Sequence, residues 1–235
     1  MKIVSNDKLI KRNSTIAKVT FFASLFVFGI GLIVSFQRPD DPRILSYTMG
    51  ALILGFTFSQ VSIYYQNRYG KRPRPDEQIT AALKGLDDKF TLYHYTSPVP
   101  HLLVGPSGVW GLLPYSQGGT ITYEKDRWKQ KGGSFMLKLF GGEGLGRPDL
   151  EAGGYLRDIQ NSLQKGLSEQ PLPPIRMALV FTNPKVQIEA EDPPIPTVAS
   201  KKIKELVRKY TKGDIPELEL AAVNRYLDER YHPKQ

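Results

Sequence analysis

The chain has 235 residues, a formal charge of +9 and no cysteine, which excludes disulfides, thiolate nucleophiles and cysteine-held zinc or iron–sulfur centres. His94, His101 and His232 show no metal-ligand spacing such as HExxH, and neither a GxxxxGK[ST] phosphate loop nor a GxSxG elbow occurs. The basic excess is local: residues 1–75 carry 11 Lys and Arg against 3 Asp and Glu, whereas residues 76–235 carry 21 against 20, so the larger part has no global electrostatic footprint for nucleic acid.

Residues 1–18 form a basic N-terminus with Lys2, Lys8, Lys11, Arg12 and Lys18. Two uncharged apolar runs follow, at 19–36 and 44–65. At about 1.5 Å per residue, each helix would reach roughly the 30 Å of a bilayer's hydrocarbon core. The intervening QRPDDPR has two prolines and two acids and reads as a polar turn, so 19–65 is predicted to be a transmembrane hairpin. A signal peptide fits less well, because the first run exceeds a usual apolar region and no A-x-A-like site follows it. A buried soluble hairpin fits less well still, since neither run has a polar face. In the second run Ser46 and Gly50, and Ala51 and Gly55, are spaced for close helix packing.

Residues 66–75 form a basic linker ending in KRPRP, which is stiff and non-helical. Arg68, Lys71, Arg72 and Arg74 mark the membrane-proximal side, and anionic lipid would meet them there. Because Lys and Arg of short loops stay cytoplasmic, both termini are predicted to be cytoplasmic in a two-span protein of the cell membrane. Tyr64, Tyr65 and Tyr69 stand where an interfacial aromatic belt would lie.

The remaining 76–235 is long enough for one domain with its own core. Asp76 is placed to cap a helix through Leu86, with Ile79, Ala82, Leu83 and Leu86 on one face. FTLYHY at 90–95 alternates as a strand. Residues 101–104 and 109–113, joined through Pro106-Ser107-Gly108, read as a hairpin. Runs at 120–123 and 127–131 are predicted to continue the meander. The glycine-rich run 141–146 lacks GxGxxG spacing and reads as a loop. Asp149 is placed to cap a helix through Leu167. IRMALVF at 175–181 suits a central strand, shorter strands are predicted at 186–188 and 197–199, and helices at 201–210 and 216–230 close the chain. This order implies an α/β domain with a mixed sheet.

The segment HLLVGPSGVWGLLPYSQGGTI, 101–121, together with LVFTNPKVQIEA, 179–190, resembles the NERD domain, the nuclease-related domain of the PD-(D/E)XK fold. The resemblance spans most of 76–210 and implies a mixed-sheet nuclease-like fold. In the family a helix Glu precedes an Asp-His pair, and a Glu-x-Lys follows the hairpin turn. Glu77 and His101 match. The other family positions fall on Pro100, Leu113 and Tyr115, so the resemblance implies a catalytically degenerate domain with no metal or cofactor. A divalent metal that activates water against a phosphodiester needs hard oxygen ligands, which these residues do not supply.

Other residues open alternatives. Glu124 and Asp126 lie two apart, which on a strand is one face, and displaced ligands there would make a membrane-tethered metal-dependent nuclease. They alternate with cations as in a solvated hairpin tip. Trp128 among Lys125, Arg127, Lys129 and Lys131 is a candidate platform for single-stranded nucleic acid, against a packing role in the hairpin. Residues 201–210 place Ile203, Leu206, Val207 and Tyr210 on one face and Lys201, Lys202, Lys204, Arg208 and Lys209 elsewhere. That pattern reads as a helix packed on the sheet, or as a basic face for the inner leaflet or nucleic acid. The sequence-based expectation is therefore a non-catalytic binding or scaffolding module at the bilayer, with nucleic acid or a protein as partner.

Overall fold

Period-two alternation of apolar side chains builds the centre of the fold, and long uninterrupted apolar runs build a separate part. The computed structural model describes residues 1–37, 42–132, 144–167, 171–211 and 215–231. Most of the predicted turn at 37–43, part of the glycine-rich run 141–146 and His232 lie outside the described residues. The chain divides into two units, Asp7–Arg74 and Met1–Asn6 with Pro75–Gln235.

The first unit is a helical hairpin, α1 (Asp7–Gln37) and α2 (Pro42–Tyr65), followed by a π-helical turn at Gln66–Gly70. Both helices are long and apolar enough to cross a membrane. α1 begins well before the predicted residue 19. Nothing in 7–18 breaks a helix, and Asp7 in the first turn favours the positive end of the helix dipole. Close packing uses one of the two predicted small-residue pairs: a Cβ on Gly31 would stand 2.7 Å from Ala51 Cβ, and one on Gly55 would stand 2.6 Å from the Phe28 ring. Gly50 faces open space. Ser62 Oγ donates to Ala17 O across the pair at 2.9 Å.

The second unit is a mixed α/β fold. Its main sheet has six strands in the order β1 (Lys2–Ser5), β2 (Thr91–His94), β3 (His101–Gly105), β4 (Gly108–Tyr115), β7 (Ile175–Phe181) and β9 (Thr197–Ala199). The β1–β2, β4–β7 and β7–β9 pairs are parallel, and β2–β3 and β3–β4 are antiparallel. Alternate residues supply two cores. On one face Leu102, Val104, Val109, Leu113, Leu179 and Phe181 meet α4 (Pro148–Gly166) and α6 (Glu217–Tyr231) through Ile159, Leu163, Val223 and Leu227. On the other, Leu92, Leu103, Trp110, Leu112, Ala178 and Val180 meet α3 (Pro75–Leu83) and α5 (Ile203–Lys209) through Ile79, Leu83, Ile203 and Val207.

Three sequence expectations change. The strand at Lys2–Ser5 was not anticipated. Its residues belong to the α/β unit, with Val4 opposite Tyr93, so the basic N-terminus is shared between a strand and the start of α1. The expected meander does not continue past β4. That strand is buried on both faces and takes β7 as its next neighbour, as doubly covered central strands do. β5 (Gly119–Glu124), β6 (Arg127–Lys131) and β8 (Val186–Glu189) instead form a second sheet, with cation-rich β6 on an edge. The helix starts also move by two residues. Pro75 and Pro148 open α3 and α4, their missing N–H costing nothing at a first helical position, so Asp76 and Asp149 lie inside the first turns rather than capping them.

The hairpin turn before β4 depends on Gly108. Its φ is +100°, and a Cβ there would stand 2.4 Å from Pro174 O. The β4 strand is held from the same point: Val109 N donates to Pro174 O at 2.9 Å, and Trp110 Nε1 and Arg176 Nη1 both donate to Ser107 O.

Candidate functional site

The register β2–β3 puts His94 directly across from His101. Both point toward α3 and are almost fully buried. Their Nδ1 atoms stand 2.8 Å apart, and His94 Nε2 stands 2.8 Å from Thr80 Oγ1. One nitrogen of the pair must carry the shared proton while the other accepts, so the geometry suits two neutral rings. Burial, then the neighbouring His94, holds the His101 imidazole well below its ordinary value. The Tyr95 ring meets His101 edge-on at 5.0 Å. His94 and Thr80 have no individual role in the sequence reading. The available signal was two histidines seven apart, flanking a turn between strands able to pair.

Glu77 lies one helical turn before Thr80 on α3. Both residues line an open groove of about 470 Å³ with Met1, Ile3, Ala81, Lys84, Gly85 and Leu86. The bonded chain runs Thr80–His94–His101, and Glu77 shares only the groove with Thr80.

The other family positions lie elsewhere. Leu113 and Tyr115 are buried on β4, facing α4 on the opposite side of the sheet. Pro100 precedes β3, and its carbonyl accepts from Tyr95 N at 2.8 Å. At the position where the resemblance implies lysine, Tyr115 Oη donates to Glu151 Oε2 at 2.6 Å and its ring stacks on Phe181 at 5.4 Å. Burial, then the Glu151 carboxylate, pushes this phenol far above its usual range, so it remains a neutral donor. Leu113 and Tyr115 thus form part of a packed core, and Pro100 is half-buried outside it. Among the described residues no three His, Asp or Glu side chains converge as metal ligands would.

The cationic hairpin is also distinct from the groove. Lys125 and Asp126, both with positive φ, form the two-residue turn between β5 and β6. Glu124 accepts from Lys129 at 2.9 Å and Lys131 at 3.3 Å, and these bonds hold its carboxyl below the usual range. Trp128 is buried against Tyr123, ring centroids 5.1 Å apart, so its indole packs within the protein. Arg127 and Lys125 remain at the exposed tip. In the helical unit, Arg68 lies over the Tyr64 ring at 3.9 Å, and Lys71 and Arg72 are exposed with Arg74 half-buried.

No family model, no curated protein and no solved structure matches this chain.

Proposed function

We propose that this chain is an integral membrane protein anchored by α1 and α2, with both termini cytoplasmic and the α/β unit serving as a non-catalytic binding or scaffolding module. The observation that carries the reading is the uncovered apolar surface of the hairpin. Phe22, Phe26, Phe36, Leu45 and Ile53 are each at least 65% exposed, and water-soluble proteins rarely leave such contiguous patches bare. The charge asymmetry around the hairpin supports the orientation. The connectivity supports it further. β1 precedes the hairpin and α3 follows it, yet β1 pairs with β2, so the chain before and after the anchor must share one side.

The α/β unit is proposed to be NERD-like. The VGPSG turn and its flanking strands support the likeness, while apolar or aromatic residues at Pro100, Leu113 and Tyr115 support loss of catalysis. Nucleic acid or a protein would be the ligand of the module. The full chain in nanodiscs, incubated with labelled single- and double-stranded DNA and RNA with and without Mg²⁺ or Mn²⁺, tests this. Retention without metal-dependent cleavage is the expected result for nucleic acid, and neither for a protein ligand. Cleavage lost in both Glu77→Ala and Glu124→Ala would instead identify an active tethered nuclease.

A further inference from the structure

The α/β unit is nearly neutral as a whole, yet five of its cations fall within nine residues, Lys201, Lys202, Lys204, Arg208 and Lys209. They lie on the 3₁₀ turn Ser200–Lys202 and on α5. The fold adds a sixth. Lys204 Nζ donates to Lys84 O at 3.1 Å and Arg208 Nη2 donates to Gly85 O at 3.3 Å, which brings the Lys84 turn against this helix. Among the described residues, none of the six is ion-paired, and Glu205 is the single acid within 200–210. Backbone carbonyls orient two of the six, while all six keep their charge uncompensated.

We propose that this face of the α/β unit binds the anionic headgroups of phospholipids. The inference rests on the membrane-anchor reading, since an anchored domain meets headgroups at high effective concentration. The helix has the wrong apolar geometry for insertion: Ile203 and Val207 are fully buried in the protein core, so no apolar stripe is left for the acyl region. Attachment is therefore electrostatic, at headgroup depth, and falls off within a Debye length of about 8 Å at physiological salt. Single-stranded nucleic acid fits the face less well. Stacking needs an open aromatic platform, and the neighbouring Tyr210 ring is engaged by Trp110 at 5.2 Å and by the Arg176 guanidinium at 4.9 Å.

The chain's lack of cysteine permits a direct test. Glu205→Cys, at the centre of the exposed face, carries an environment-sensitive label. Gln160→Cys on α4 carries the same label as a reference. The full chain is placed in nanodiscs of phosphatidylcholine alone or with about one third phosphatidylglycerol, each with a headgroup quencher. The expected result is at least threefold more quenching at position 205 in the anionic discs. That excess should be abolished by 0.5 M NaCl and by Lys201→Glu with Lys202→Glu, with position 160 unchanged. Equal quenching in both discs overturns the lipid face while leaving the anchor reading intact. Failure to incorporate into discs overturns the anchor reading and this proposal with it. A label response to a single-stranded oligonucleotide but not to anionic lipid assigns the face to nucleic acid and overturns the proposal.

Discussion

His94 and His101 face each other across adjacent antiparallel strands with their Nδ1 atoms 2.8 Å apart. The ring that accepts in this contact must be neutral, and burial, then the neighbouring His94, depresses the imidazole of His101. The unfolded chain protonates near the ordinary value of about 6.5 while the folded chain does not, so the unfolded state binds more protons below that pH. Stability is thus full above about pH 6.5 and declines as pH falls below it, by up to about 1.4 kcal/mol per pH unit for one such group. Both tryptophans, Trp110 and Trp128, lie in the α/β unit, so urea unfolding followed by their fluorescence reports on that unit. The His101→Gln variant should show a flatter dependence between pH 7.5 and 5. An unchanged slope would mean that the pair is not the acid-sensitive element.

The β1 strand makes a contrast between neighbours. Val4 is buried and Ile3 is 48% exposed. Val4→Ala should cost about 1–2 kcal/mol through lost burial and residual cavity, whereas Ile3→Ala should cost well under 1 kcal/mol. The same urea midpoints check this. Equal effects would place β1 outside the sheet in solution.

Gly108 is the stricter glycine of the turn. Gly108→Ala meets both a positive φ and a backbone carbonyl that cannot swing away, so a loss of about 2 kcal/mol or more is expected. Gly132, with φ +77° but open space around it, should lose about 1 kcal/mol on substitution by Ala. Thermal unfolding of both variants measures the difference.

Tyr115→Phe removes the hydroxyl that serves Glu151 and should destabilise by about 1–2 kcal/mol, since the bond has a charged acceptor. In the Glu151→Gln background the further loss should shrink by at least half, as a double-mutant cycle would read directly. Additive losses would mean that the two side chains act independently.

Much of this fold is legible in the sequence because its signals are periodic. The apolar runs give the hairpin, and IRMALVF, apolar on both faces, marks β7 as an interior strand between β4 and β9. What escaped was non-local. Residues 2–5 are too short to signal a strand, and only pairing with β2, across the whole hairpin, makes them one. The partition into two sheets is equally silent, because the local alternation at 120–123 does not say which neighbour it takes. At the candidate site, Glu77 and His101 are visible in the sequence as single residues, but the chain from His101 through His94 to Thr80 exists only after α3 covers the strands. Trp128 among cations reads in sequence either as a nucleic-acid platform or as hairpin packing, and its burial against Tyr123 gives the packing role.

The central claim, a two-span anchor with the α/β unit inside the cell, is tested most directly by single-cysteine labelling of intact cells that express the chain. Asp40→Cys, in the polar sequence between the two apolar runs, and Asp87→Cys in the α/β unit are treated with a membrane-impermeant maleimide before and after permeabilisation. Asp40→Cys should label in intact cells, and Asp87→Cys should label only once the membrane is opened. Labelling of Asp87→Cys in intact cells, or protection of Asp40→Cys, would contradict the account.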